Sequence, residues 1–313
     1  MIALLLLPLA LPWLLPRLAR RAVTRVHPVT ALWAITVSAV ALAIGVLACL
    51  GALLLPVALA VPALAAVAHL VEPLRAGPRV LVLGVSAVAA GTFVVTCGTL
   101  ARRIRSELRR LGAVRGDVAH LPHAGGLCVV DDPRPDAYAL PGGLRGRARI
   151  VVTTGMLRAL DAPEREILLA HERAHLAGRH HLFLAAVQLA GWCHPALAAV
   201  VPQVSFAAER AADEAAARAT GDRKLAARAV GRAALAATRG PGPGPLPVVA
   251  PGVVTGPVPA RVRALLLQAP VRRVAPVLLA MGLTCSVAAA SSFSGAVLLH
   301  RGVEVAQGEA PSG

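Results

Sequence analysis

The sequence predicts a mainly α-helical membrane protein with a small α+β section in its middle, on three observations. Its 313 residues are 57% hydrophobic and only 15% charged, too apolar for an ordinary soluble domain. The apolar residues gather in runs at 1–16, 29–71, 80–101 and 274–299, with a shorter one at 182–201, and ~20 such residues cross ~30 Å of hydrocarbon. Between the runs lies a polar middle, 102–270, that holds most of the acidic residues and mixes helical with β-prone patterns.

The net charge of +16 points to the bilayer rather than to nucleic acid. Lys224 is the only lysine, so arginine carries the charge. Arg17, Arg20, Arg21 and Arg25 follow the first run, and Arg102, Arg103, Arg105, Arg109 and Arg110 follow the third. Basic clusters beside apolar runs are the mark of cytosolic flanks. Aromatics make up 3%, too few for base-stacking platforms, and no nucleic-acid partner is expected. The five cysteines form no CxxC pair, which argues against a disulfide framework and a thiolate metal site. The N-terminus lacks a basic n-region, so its apolar run reads as a retained anchor.

Taken in order, residues 2–16 can span, although Pro8, Pro12 and Pro16 make this run irregular. Residues 29–71 cross once, with a kinked continuation, or twice. One crossing gathers the nine arginines of the two clusters on one side against Arg75 and Arg79. The bias therefore favours it, with residue 102 onward in the cytosol. A basic helical stretch opens the middle section. Three β-prone pieces follow at 126–130, 136–140 and 149–154, set apart by Pro and Gly-Gly. Helical pattern runs from 163 to about 189, with Asp161 as N-cap and Pro163 in the first turn, and resumes over 204–219. Residues 239–259 are rich in Pro and Gly. A short helix is expected at 261–267, ahead of Arg272, Arg273 and the last span.

The chemistry lies in LLAHERAHLAGRHH. His171, Glu172 and His175 fit H-E-x-x-H, a string that chance gives in roughly one of a hundred chains of this composition. On a helix, positions i and i+4 lie about 40° apart, so both imidazoles can reach one ion. Glu172 can reach a water held by that ion and act as its general base. A third ligand is needed downstream, and Glu209 supplies it, with Asp213 one turn further on the same face. Asp213 can accept the second ring N–H of a ligating histidine. His194, His180 and His181 are alternative ligands, the last two reading more readily as interfacial residues. All ligands must lie within about 2 Å of one ion. The 33 residues between His175 and Glu209 are too few for a transmembrane hairpin, so 182–201 is a core, interfacial or re-entrant helix.

HERAH, then Gly191-Trp192-Cys193-His194-Pro195 and the Glu209–Glu214 stretch, resembles the membrane metallopeptidases of the BlaR/MecR type. That family has HExxH, a W-x-N-P turn and an E-x-x-x-D-E helix at similar spacing. Residues 137–143, with 149–154 after them, resemble the strand pair of the related CAAX-protease and HtpX type. There the edge strand pairs with substrate, which would give that role to Ala137, Tyr138, Ala139 and Leu140. The resemblance covers about residues 100–220. His194 stands where Asn is usual, and no sensor domain follows the last span, so antibiotic sensing is not implied.

These observations give a multi-pass plasma-membrane protein with a zincin-like α+β catalytic section. A transmembrane region of about three spans (1–101) leads into a cytosolic zinc metallopeptidase domain (102–238). A Pro/Gly-rich linker (239–273), a C-terminal transmembrane helix (274–299) and a tail (300–313) complete it. The expected activity is hydrolysis of a protein or peptide by a zinc metalloendopeptidase holding one Zn²⁺ per chain. Its ligands are His171, His175 and Glu209, and Glu172 is the base. Arg210, His180 and His181 are candidates for oxyanion stabilisation. The alternatives are a regulatory protease that inactivates a transcriptional repressor and a non-enzymatic scaffold with a structural metal site; an intact Glu172 disfavours the latter.

Overall fold

The computed structural model describes residues 7–58, 79–142, 147–239, 257–267 and 275–306. A 3-10 turn at Leu11–Leu14 leads into α1 (Leu15–Arg25), followed by α2 (Pro28–Ala58) and α3 (Arg79–Ala119). Four short strands come next: β1 (His123–Ala124), β2 (Leu127–Val130), β3 (Ala137–Leu140) and β4 (Arg149–Thr153). Helices α4 (Thr154–Ala159), α5 (Ala162–Ala177), α6 (His180–Cys193), α7 (Pro195–Ala198), α8 (Val201–Thr220), α9 (Arg223–Arg239), α10 (Val258–Leu267) and α11 (Ala275–Ala306) follow. The fold is mostly helical with one small sheet, as the sequence predicts.

Among the described residues one helical segment, Pro28–Gly51, is long and apolar enough to cross a membrane; Ala275–Ser291 is apolar but shorter. Of the several spans expected from the apolar runs, one meets both criteria among the described residues. The run at 2–16 differs most from expectation within the described residues. From Leu15 it becomes an amphipathic helix that buries Leu15, Ala19, Ala22 and Val23 and exposes Arg17, Arg20, Arg21 and Arg25. Leu14 precedes it half-exposed, and the three prolines place the 3-10 turn where a span would need a continuous ladder. In the run at 29–71, α2 passes through Pro56 unbroken; residues 59–78, where a second crossing would begin, lie outside the described residues, as do 240–256, 268–274 and Gly143.

The sheet order is β1-β2-β4-β3, with β2 parallel to β4 and β3 antiparallel to it. Its two faces follow the period of two. Ile150 and Val152 join Met156 of α4, Leu160 just past its end and Leu168 of α5 on one side. Val151, Cys128 and Leu140 meet Leu111 and Val118 of α3 on the other. β3 pairs with β4 alone among the described strands, leaving it at the sheet edge. The extra strand β1 is a two-residue hairpin arm turned by Gly125 and Gly126, both at positive φ.

Helix α5 starts on a capping box: Asp161 accepts from the Glu164 amide, and Glu164 reaches back to the Asp161 amide. Fully buried Glu164 is then held by Arg228 and Arg232 of α9. The helical pattern read through 163–189 breaks at Gly178 and Arg179, so α5 and α6 are separate helices. Periodicity alone cannot show this break, because apolar spacing continues on both sides of it. Helix α8 is central. Ala207, Ala208, Ala211, Ala212, Ala216 and Ala217 are all buried, and their small side chains let α2, α5, α6, α9 and α10 approach closely.

Glycines separate two kinds of position. A Cβ on Gly155 would lie 2.2 Å from the Pro133 carbonyl oxygen, whereas one on Gly116 in α3 meets nothing within 4 Å. Gly155→Ala should therefore destabilise by about 1–3 kcal/mol through overpacking against backbone. Gly116→Ala should stabilise by about 0.4–1 kcal/mol by restricting the unfolded chain. Thermal melting of the detergent-solubilised variants checks both, and a silent Gly155→Ala would mean that the loop entering β3 does not press on α4.

Candidate metal centre

Helix α5 presents His171 and His175 one turn apart, and α8 crosses it with Glu209 and Asp213, also one turn apart. All four, with Glu172, are at most 7% exposed. His171 Nε2 lies 3.1 Å from His175 Nε2, and the Glu209 carboxylate is 3.5 Å from the first and 3.3 Å from the second. These three residues offer ligand atoms within 4.8 Å of one another.

The arrangement can be tested for fit to a metal. Ligand atoms on a tetrahedral ion with bonds of about 2.0–2.1 Å sit about 3.3–3.4 Å apart, close to the three separations found. Glu209 Oε2 and His171 Nδ1 are buried with no partner in hydrogen-bond geometry, although charged groups lie close to both. Two neutral imidazoles and a carboxylate are the donor set zinc takes at catalytic sites. The residues present fit a zinc ion.

The electrostatics point the same way. Burial works against a charge on His171, yet Asp213 and Glu209 outweigh it and raise its pKa to about 10. Burial opposes charge on Glu209 as well, but Arg261 and the two histidines hold its carboxyl well below the usual range. Asp213 is lowered for the same reasons by Arg261 and His171. Glu172 differs: burial dominates and pushes its carboxyl up.

Several sequence expectations resolve here. Asp213 Oδ1 lies 3.0 Å from His171 Nδ1, close enough for an ion pair but bent away from hydrogen-bond geometry. His180 is buried rather than interfacial, and its Nδ1 sits 3.0 Å from His175 Nδ1. Burial, together with the neighbouring His175, lowers its pKa to about 3. His181 is half-buried outside the ligand trio. His194 is no ligand: its Nδ1 accepts from the Ala196 amide and caps α7, the turn bonding that an asparagine would supply. Arg210 faces away from the trio, donating to the Val23 carbonyl and lying over Phe206. Ala137, Ala139 and Leu140 are buried in β3 with Tyr138 half-buried, and the strand packs on α5.

One residue was missed. Arg261 of α10, 2% exposed, donates from Nε and Nη2 to Asp213 at 2.8 and 2.7 Å, and its Nη1 lies 2.9 Å from Glu209 Oε2. A signal existed: Val258, Arg261, Val262 and Leu265 stand at i, i+3, i+4 and i+7, which puts the arginine on the apolar face. The Pro/Gly-rich residues before it argue locally for a linker.

Asp213 thus anchors a buried ion pair, whereas Glu214 pairs with the partly exposed Arg223. Asp213→Asn should cost about 3 kcal/mol, because it leaves a buried guanidinium undercompensated. Glu214→Gln should cost about 1 kcal/mol or less. Metal-free thermal melting measures both, and equal losses would remove Asp213 from the anchoring role.

A family model, peptidase family M48, matches residues 100–269. No solved structure matches the chain. The matched stretch opens in the Arg-rich half of α3 and ends just past α10, so it takes in the sheet, both motif histidines, Glu209, Asp213 and Arg261. It covers more than half of the 313 residues, and the chain belongs to peptidase family M48, a family of metal-dependent peptidases that typically use zinc.

Proposed function

We propose that this chain is a membrane-bound zinc metalloendopeptidase, with His171, His175 and Glu209 as the ligands of one ion and Glu172 as general base. The observation that carries the reading is the trio of ligand atoms 3.1–3.5 Å apart with Glu172 buried beside them. Zinc, when bound, supplies Lewis acidity toward water and toward a peptide carbonyl. Glu172 takes the proton of the attacking water and returns it to the departing amine. Its environment raises its proton affinity, which suits a group that must both accept and release a proton near neutrality. Arg261 and Asp213 hold Glu209 and His171 in place. A protein or peptide substrate adds as a strand to the free edge of β3 (Ala137, Tyr138, Ala139, Leu140), main chain to main chain. The HERAH helix, the Trp192 turn and the Glu209–Glu214 stretch support the BlaR/MecR-type likeness within the family.

Membrane attachment rests on a different observation. Trp33, Val37 and Ile44 of α2, Val88, Val94 and Val95 of α3, and Leu279 and Leu283 of α11 are each more than half exposed. Both α3 and α11 pack on α2, so these residues lie on adjoining helices. A water-soluble surface does not leave so much apolar area uncovered, and a bilayer covers it. The arginines of α1 and of the second half of α3 support a cytosolic catalytic section at the plasma membrane under the positive-inside bias.

Detergent-purified protein should contain one zinc per chain and digest casein. Glu172→Gln should keep the zinc and lose the digestion, and Glu209→Ala should lose the metal. Digestion by Glu172→Gln at the wild-type rate would remove it as base, and full zinc in Glu209→Ala would remove that ligand. For topology, a reporter fused after Arg110 should read cytosol and one after Arg301 the exterior. The reverse result would invert the orientation.

A further inference from the structure

The turn from α5 into α6 is built against local preference. Arg179 adopts φ 49 and ψ 39, the left-handed region, which disfavours residues with a Cβ. Gly178 before it has an ordinary right-handed backbone, so its lack of a side chain answers to space rather than to φ. A Cβ there would lie 2.5 Å from His180 Nε2 and 2.8 Å from its Cδ2. Both features serve one side chain. They fold the first residue of α6 back under α5 and leave room for its ring.

The ring arrives at His175. The two Nδ1 atoms are 3.0 Å apart, and the rings are nearly perpendicular, at 87°, with centroids 4.8 Å apart. The other nitrogen of His175, Nε2, faces His171 and Glu209. A neutral imidazole has one donor and one acceptor nitrogen. If Nε2 offers its lone pair to an ion, Nδ1 carries the proton and needs an acceptor. His180 Nδ1 is in place to accept, with its own proton then on Nε2.

We infer that His180 is a positioning residue of the metal centre: it accepts the Nδ1–H of His175 and so fixes the tautomer and ring plane in which Nε2 faces the ion. The inference rests on the metal reading proposed above. His171 and His175 are thereby supported unequally, since the nearest group to the outer nitrogen of His171 is the Asp213 carboxylate. His180 orients its partner without adding negative charge to a site that already buries Glu172, Glu209 and Asp213.

The test is zinc affinity, measured by chelator competition on the full chain in detergent, with metal-free melting followed in parallel. His180→Leu keeps bulk but no acceptor and should bind zinc ~10–100-fold more weakly. His180→Asn places an amide oxygen where Nδ1 stood and should recover most of that loss. Gly178→Ala, which displaces the ring without altering it, should weaken zinc by itself. Combined with His180→Leu it should add little further, because both act through one contact. Wild-type affinity in His180→Leu, or equal affinities for the Leu and Asn variants, would overturn the assignment. Should His180→Leu fail to fold, Gly178→Ala decides: unchanged zinc affinity overturns the assignment, and a loss supports it. A wild type without zinc would instead overturn the metal reading, and the role of His180 with it.

Discussion

Three carboxylates, Glu172, Glu209 and Asp213, are buried within one crossing of two helices, each 2% exposed. An apolar interior tolerates such groups only against positive charge, and much of this structure follows from where that charge comes from. Arg261 supplies part of it, reaching both Asp213 and Glu209. It sits on α10, beyond the Pro/Gly-rich residues, so the pair ties a sequence-distant helix to α8. Leu265, on the same face of α10, packs with Ala216 and Ala217 of α8 and Ala226 and Val230 of α9. One guanidinium against the carboxylates of Glu209 and Asp213 leaves one negative charge unmatched while the imidazoles are neutral, and burial keeps Glu172 inclined toward its protonated form. The raised pKa of His171 expresses that demand as affinity for a proton. A divalent cation between the two imidazoles meets it more fully, and the family to which the chain belongs is metal-dependent.

The alanines of α8 make this crossing possible. Side-chain atoms of α5 and α8 approach to 3.0–3.5 Å where the two helices cross. Glu209 and Asp213 then project from a helix otherwise buried on small residues. In sequence this helix reads as an Ala-rich stretch with an acidic pair, and its place beside the histidines was legible because the pair keeps their i, i+4 spacing. The start of α5 was legible from Asp161 and Pro163, local signals that tertiary packing has no reason to override. Strands β2, β3 and β4 were legible from β-prone residues between Pro and Gly, but β1 and the pairing were not. The parallel match of β2 to β4 depends on the chain passing through β3 at the far edge.

What the sequence hid has a common cause. The break at Gly178 and Arg179 is set by a contact between His180 and His175, and the helical pattern on each side does not register it. Arg261 is fixed by partners about fifty residues upstream, while its neighbours in sequence argue for a loose connector. The run at 2–16 has the composition of a span, but among its described residues a 3-10 turn interrupts the helix, and the amphipathic helix that follows from Leu15 joins Leu32 and Ile35 of α2 in one core. In each case local composition is compatible with two structures, and a long-range contact chooses between them.

Helix α3 joins the two halves of the molecule. Its first part carries the exposed Val88, Val94 and Val95, and its last part covers the sheet with Leu111 and Val118. Arg115 donates to the carbonyls of Pro141 and Gly142 just past β3, and Arg149 of β4 donates to the Val118 carbonyl. A continuous helix rises about 1.5 Å per residue, so Arg115 stands about 20 Å along the axis from Arg102, where the apolar run ends. If the apolar part lies in the bilayer, the edge strand is held at a fixed height above it by one helix rather than by a flexible linker. Under the proposed function such a strand would meet segments that leave the membrane at that height, or chains that reach it from the same side. Substrate choice would then depend on where a cleavable segment stands relative to the lipid as well as on its sequence.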